Sequence, residues 1–586
     1  MSKLNKIILF PVVLLIINSC SSDMLDLAPY DEISSGNVWR KASLAELTVT
    51  GVYNNLLYDY NAATANRLNW DAFSSIMDPS SSVYNNYSLL LGTITANESS
   101  FETYWKVFYE GISRANDVIA NISKVPDMTA EKKAQYIAEC KFIRGYYYYR
   151  LNVLWRGVPL YLEPVEVADC TKGRSSESDV WDAIIGDMTD CILETNLPDK
   201  YASNSPDYGR ITKAAAYTLR GKVYLWKKDW NAAQKDFEAV TKMGYSLFQS
   251  GYGNLFTESN EKCDEMIFSV QMIEESGYGS ARPYRYGNPL TAGNGYSAFF
   301  FNPNFVDSYE CVDGKPFNWD DYLPGYSSMT PKARSVFFLR DGLKTKEKAT
   351  MTTYGADMTK YLADGNEARI LAAYQGRDPR LLATVITPYS TYNGGLTGAT
   401  YTYTYRWPYR GYDAKDPYDF RSNLNNYMLY SVRKFVPVGR ENIFTQYNPI
   451  DIPVFRYADV LLCLAEALNE QGETDVAAGY VNLVRNRAGV AALNSNAYTT
   501  VTGKEDMRKR IQHERSVELA GEEQIYFDEL RWETWKNKKF ATGNGLLEVW
   551  GSPVYEYSWL GDQCLLWALP SSECEKNTNL IQNKDW

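Results

Sequence analysis

His513-Glu514-Arg515, with Glu518, Asp528 and Arg531 shortly after, has the residue types of an acid–base site. An imidazole beside carboxylates can move protons near neutral pH. His513 is the only histidine in 586 residues, so a Ser-His-Asp hydrolase would have to be built on it. The flanking Ile511, Val517 and Leu519 place the stretch on an amphipathic helix. There Glu514, Glu518 and Arg515 at helical spacing form ion pairs, a structural role. A glycosidase needs two carboxylates about 5–9 Å apart. With 71 acidic residues some such pair always exists, but the adjacent Glu522-Glu523 and Asp320-Asp321 would point apart on a helix or strand. Gly293-Asn294-Gly295-Tyr296-Ser297-Ala298 loosely matches a dinucleotide fingerprint, but no apolar strand precedes it and no βαβ unit surrounds it. No Gly-Lys-Ser/Thr phosphate loop occurs.

Aromatic residues offer a different chemistry. The chain has 47 Tyr and 15 Trp but only 22 Phe. Tyr and Trp pair an apolar face with a polar tip, which suits a half-wet ligand such as a sugar. Three clusters stand out. The first is Tyr278, Tyr284, Tyr286, Asn288, Tyr296, Phe299 and Trp319. The second, Tyr401, Tyr403, Tyr405, Trp407 and Tyr409, alternates with other residues. In a strand its rings would share one face about 6.6 Å apart, packed on the helices, on a partner or on sugar. The third is Trp70-Asp71 with Tyr84, Asn85 and Tyr87.

Helical periodicity dominates the elements that must position these residues. Trp105, Phe108, Ile112, Ala115 and Ile119 recur at three or four, as do Tyr136, Cys140, Ile143, Tyr147, Leu151 and Leu154 after an N-cap at Thr129. Val180, Ile184, Met188 and Ile192 form another stripe. Ala216, Leu219, Gly221 and Tyr224, followed by Trp230, Ala233, Phe237 and Val240, read as a tetratricopeptide-like helix pair. A second pair spans Val454 to Arg487, broken at Gly472. Residues 246–450 are rich in Gly, Pro, Tyr and Asn and read as a loop-rich insertion with a short strand at Glu265–Gln271. Loops on a rigid scaffold are where binding residues gather.

At the start, Lys3 and Lys6 precede an apolar run that ends at Ile17-Asn18-Ser19-Cys20. This is the pattern of a secretory signal. It resembles a bacterial lipobox, which would make Cys20 a lipidation site and the first residue of the mature protein. Several acyl chains on one residue anchor stably where one chain does not. The net charge of −11 argues against nucleic acid. None of the nine cysteines forms a C-x-x-C pair, which argues against a zinc site. Cys140, Cys191 and Cys463 fall on apolar helix faces, and one or two disulfides among the others stay open.

Ordered blocks then carry a family resemblance: Leu25-Asp26 with Pro29; Arg114-Ala115-Asn116; Arg144 with Tyr146–Tyr149; Gly157-Val158-Pro159-Leu160; Arg377-Asp378-Pro379-Arg380; Arg456-Tyr457-Ala458-Asp459; Glu514-Arg515-Ser516-Val517-Glu518-Leu519; and Trp567-Ala568-Leu569-Pro570. Together they resemble the SusD/RagB family of outer-membrane nutrient-binding lipoproteins. Two features depart from that pattern. Gly521-Glu522-Glu523-Gln524 lacks the arginine that often follows the late Glu-Leu, and the acidic cluster after the lipidated cysteine is reduced to Asp23.

The resemblance implies a mainly α fold of four tetratricopeptide-like helix pairs plus an irregular ligand-bearing insertion. The expected organisation is a signal peptide over 1–19, a tether over 20–37 and one domain over 38–586, with the scaffold at 38–245 and 451–586 and the insertion at 246–450. It further implies capture of an oligosaccharide, or of peptide in RagB-like members, for a SusC-like TonB-dependent transporter. No catalysis, cofactor or metal is implied, and a lipid-anchored glycoside hydrolase is the more distant alternative. Because the family site draws on an early loop and on the insertion, the expected ligand residues are Trp70, Asp71, Tyr84, Asn85, Tyr284, Tyr286, Asn288, Tyr296 and Trp319.

Overall fold

The computed structural model describes residues 38–586, apart from 61–67, 82, 290–294, 395–400, 411–417, 423–424 and 438–444. The side chains of residues 59, 60, 84, 85 and 445 are also outside the description. Cys20 and the 1–19 and 20–37 segments therefore lie outside the described residues.

Nine longer helices form the scaffold. They are α1 (Ala42–Tyr60), α2 (Ser99–Asn121), α3 (Ala130–Trp155), α4 (Glu177–Leu193), α5 (Lys213–Trp226), α6 (Trp230–Val240), α7 (Tyr457–Glu470), α8 (Thr474–Ala488) and α9 (Lys504–Leu519). From α1 to α6 each helix packs on the next, and α7 then packs on α6 across the insertion and carries α8 and α9. The starts are set locally. Thr129 accepts a hydrogen bond from the Lys132 amide, and Ser176 and Asp179 form a reciprocal capping box. In the α5–α6 pair, a Cβ on Gly221 would lie 2.7 Å from the Phe237 ring, so only glycine permits this approach. Val454, expected in the helix of the second pair, lies instead in the strand Ile452–Arg456; α7 begins one residue after that strand ends. That strand pairs with Met266–Val270, and an extended backbone suits the branched side chain of Val454.

The insertion is held to the scaffold by short strands. An antiparallel sheet of four runs in the order Met77–Pro79, Phe299–Phe301, Tyr430–Val432 and Val385–Ile386. Its first strand comes from the early loop between α1 and α2, so this sheet joins the early loop to the insertion. Cys140, Cys191 and Cys463 are buried as the helix faces predicted, and every cysteine among the described residues is free. No helix among the described residues is long and apolar enough to cross a membrane.

Below the insertion lies a buried ionic junction. Arg456 meets Glu265, Glu518 and Glu522, each at 2.7 Å. Arg380 reaches Glu514 at 2.6 Å and Glu518 at 2.9 Å, and Arg487 also pairs with Glu518. Burial works against the charge on Glu518, but Arg487, Arg456 and Arg380 outweigh it and hold its carboxyl well below the usual range. The ion pairs expected within the His513–Glu518 stretch are thus made, but to other elements. The i,i+3 and i,i+4 geometry of α9 turns Glu514 and Glu518 toward arginines from the insertion and α8. Arg515 turns to Asp459 and Asp528. In the turn after α9, Glu522 meets Lys434 at 2.6 Å and Glu523 meets Arg282 at 2.8 Å, both cations coming from the insertion.

Candidate functional site

The short helix Arg282–Tyr286 organises the first aromatic cluster. Arg282 and Tyr286, four residues apart, share its inner face. Arg282 pairs with buried Glu523, while the Tyr286 hydroxyl donates to the Gly521 carbonyl (3.2 Å) and accepts from the Asn69 amide (2.7 Å). Tyr284, two residues from each, falls on the other side and is half-buried. The chain then returns alongside this helix. The Tyr296 amide donates to the Tyr284 carbonyl (2.7 Å), and the Ser297 and Ala298 amides donate to Gly287 (2.8 Å) and Arg285 (2.7 Å). Gly295 allows that return, since a Cβ there would lie 2.4 Å from the Gly287 carbonyl oxygen.

The result is a stacked pair, Tyr284 on Tyr296, with ring centroids 5.8 Å apart and planes 23° from parallel. Tyr296 keeps 46% of its surface in water, and Tyr278 on the preceding loop keeps 49%. Such rings can take the C–H face of a sugar, while their hydroxyls exchange hydrogen bonds with its hydroxyls.

The other expected ligand residues are placed elsewhere. Trp70 is a core residue, with Tyr104, Phe527 and Trp567 at 4.9, 5.3 and 5.4 Å and the Arg150 guanidinium 4.9 Å from its ring. Asp71 is fully buried and accepts the backbone amides of Glu523 (2.9 Å) and Ile525 (3.3 Å). Burial, with the Glu523 carboxylate adding to it, pushes its pKa up to about 7. Asp71 therefore stitches the early loop to the turn after α9. Asn288 is buried, as is Trp319, whose indole donates to Asp307 at 2.9 Å and stacks on Tyr326 at 5.0 Å. These four and Tyr286 are packing residues. The polar tips of Asp71, Tyr286 and Trp319 find partners inside the fold, a feature composition cannot distinguish from ligand contact. The side chains of Tyr84 and Asn85 lie outside the described residues.

The alternating tyrosines form the strand Tyr401–Tyr405, as expected, with Tyr401 and Tyr403 centroids 6.4 Å apart. The ladder runs from water into the core: Tyr401 is exposed, Tyr403 half-buried, and Tyr405 and Trp407 buried. Tyr418, from a parallel neighbouring strand, completes its outer end at 5.2 Å from Tyr401. Nothing in the order of residues marked Tyr418, because the pairing is across strands. A groove of about 680 Å³ also runs along α2, lined by Trp105, Tyr109 and Tyr161, with Val167 beside it 90% exposed.

A protein with helix pairs, an ion-stitched insertion and surface tyrosines matches known families along its length. The model of the family described as "SusD family" matches residues 264–586, and one described as "Starch-binding associating with outer membrane" matches residues 23–225. The chain belongs to the SusD family. It is 24% identical over 545 residues to the SusD-like protein P25 of Formosa agariphila, covering 90% of each chain. A solved SusD-like protein from Bacteroides fragilis superposes with a TM-score of 0.70 at 21% identity, covering 95% of this chain and 100% of that one. Surface glycan-binding protein A from Bacteroides thetaiotaomicron, solved in complex with laminarihexaose, superposes at 0.60 with 17% identity, covering 93% and 99%. These structural likenesses establish the fold.

Proposed function

We propose that this protein binds an oligosaccharide at the outer face of the outer membrane, held there by lipid on Cys20, and passes it to a SusC-like TonB-dependent transporter. The stacked, water-facing Tyr284–Tyr296 pair carries this reading. Family membership supports it, as do the starch-binding, outer-membrane description of one matching family and the laminarihexaose bound by a structural neighbour. The role is capture without catalysis: His513 sits in α9 among structural ion pairs, and the site we assign is made of rings. The insertion over 246–450 is the ligand-bearing part, and 38–245 with 451–586 is its scaffold.

Affinity electrophoresis across neutral polysaccharides, followed by calorimetry on oligosaccharides of the one retained, tests the binding. Tyr284→Ala/Tyr296→Ala is expected to abolish the shift. Binding of peptides with no shift on any polysaccharide would overturn the reading in favour of a RagB-like role. Loss of membrane fractionation in Cys20→Ala checks the anchor, and co-purification with the barrel checks the partner.

A further inference from the structure

A second cavity, of about 410 Å³, shares no lining residue with the tyrosine pair. That volume lies within the range of small-molecule sites. One wall is α9, where Lys509, Gln512, His513 and Ser516 follow one another at i, i+3, i+4 and i+7 and so share a face. Asn304 and Lys538 face it from two short helices, Pro303–Ser308 and Trp535–Lys539. Beneath lies a committed floor. Asn302 donates to Asn544 (3.0 Å) and Asp78 (2.9 Å), and Asn544 donates to the Lys539 carbonyl (3.0 Å). These amides hold the wall elements in place and have nothing left to offer.

The upper wall is different in charge. In a chain of net charge −11, no lining residue is a carboxylate, while two are lysines. Lys509 has no ion-pair partner among the described residues. Lys538 lies 3.9 Å from buried Glu529, whose carboxylate is already taken by the Ser75 amide at 2.9 Å and the Ser75 hydroxyl. Burial lowers the pKa of His513 against the pull of Glu310 and Glu514, which favours a neutral imidazole able to donate and accept.

We propose that this cavity is a second saccharide subsite, selective for units carrying a carboxylate or sulfate, with Lys509 and Lys538 meeting the anion and Gln512, His513 and Asn304 the hydroxyls. It rests on the glycan reading above and adds a charge class to it. A charge-assisted hydrogen bond to each ammonium makes roughly a tenfold contribution to affinity or more.

Calorimetry with tetragalacturonate and with a chondroitin sulfate tetrasaccharide, beside neutral laminaritetraose, tests it on the full chain. The expected result is that at least one acidic probe binds, that Lys509→Ala/Lys538→Ala weakens it at least about tenfold, that Lys509→Arg/Lys538→Arg restores much of it, and that added salt weakens it. Which acidic probe binds separates carboxylate from sulfate. Tyr284→Ala/Tyr296→Ala should leave that binding in place. Acidic binding lost in the tyrosine variant but kept in the lysine variant would overturn the proposal, as would neutral binding with no acidic binding. If neither class binds, the glycan reading falls as well, so the two failures are distinguishable.

Discussion

Around Arg456 each charge is met by an opposite charge away from water, whereas around Tyr296 two rings are held by backbone hydrogen bonds with one side left wet. Both regions include residues of the insertion, but the first ties it to the scaffold while the second is held within it, and they use different physics. The junction uses side chains from β-strands, α8, α9 and the loop at Lys434, so removing one member leaves others buried and unpaired. The rim takes its geometry from three amide hydrogen bonds between residues 284–287 and 296–298, which no side-chain substitution there removes directly. Single substitutions are therefore expected to cost more in the junction than at the rim. That separation is what a family of binders with different ligands on one scaffold requires.

The largest effect expected of a single substitution falls in the junction. Arg456→Ala should cost about 3–5 kcal/mol by chemical denaturation, because three carboxylates lose their shared cation in a dry site. A loss under about 1 kcal/mol would break the contrast. Next, Tyr286→Phe should cost about 1–3 kcal/mol of stability by leaving the Asn69 amide and Gly521 carbonyl short of a partner. It should leave carbohydrate affinity unchanged, since that residue faces inward. Third, Tyr296→Ala should change stability by less than about 1 kcal/mol and weaken oligosaccharide binding by about 0.5–1.5 kcal/mol in calorimetry. Equal losses of stability and affinity would show that the ring belongs to the core.

The smallest effect is one of pH. Asp451, beside Glu261 and just before the strand Ile452–Arg456, has its pKa pushed up to about 8 by burial and by that neighbour, from an ordinary 3.8. The folded state therefore holds the proton between about pH 4 and 8 where the unfolded chain releases it, so this group's contribution to stability falls as pH rises through that window. Asp451→Asn keeps the acceptor for the Met272 amide (2.7 Å) and removes the titration. Its melting temperature should gain on the parent protein from pH 5 to pH 8.5, and a constant difference would refute the assignment.

Much of this architecture was legible. The stripe on α3, the cap at Thr129, Gly221 in its helix pair and the strand at Met266–Val270 follow from periodicity and local hydrogen bonding, which act within a few residues. The Tyr401–Tyr403 spacing of 6.4 Å follows from strand geometry alone. The blocks from Arg377 to Glu518 marked the family because the buried junction needs those charges. Exposure was not legible in the same way. Of the residues named, Tyr284 and Tyr296 reach the surface, whereas Trp70, Asp71, Tyr286, Asn288 and Trp319 lie inside.

By itself, then, the sequence determined the helical scaffold, the presence of an irregular insertion and the abundance of tyrosine. Only the tertiary structure decided which tyrosines meet water. One turn of helix sends Tyr286 inward to Asn69 and Tyr284 outward to Tyr296. It also parts His513, which faces a polar cavity, from Glu514, which faces Arg380. A residue's type states what it can bind, but its exposure depends on partners more than two hundred residues away along the chain.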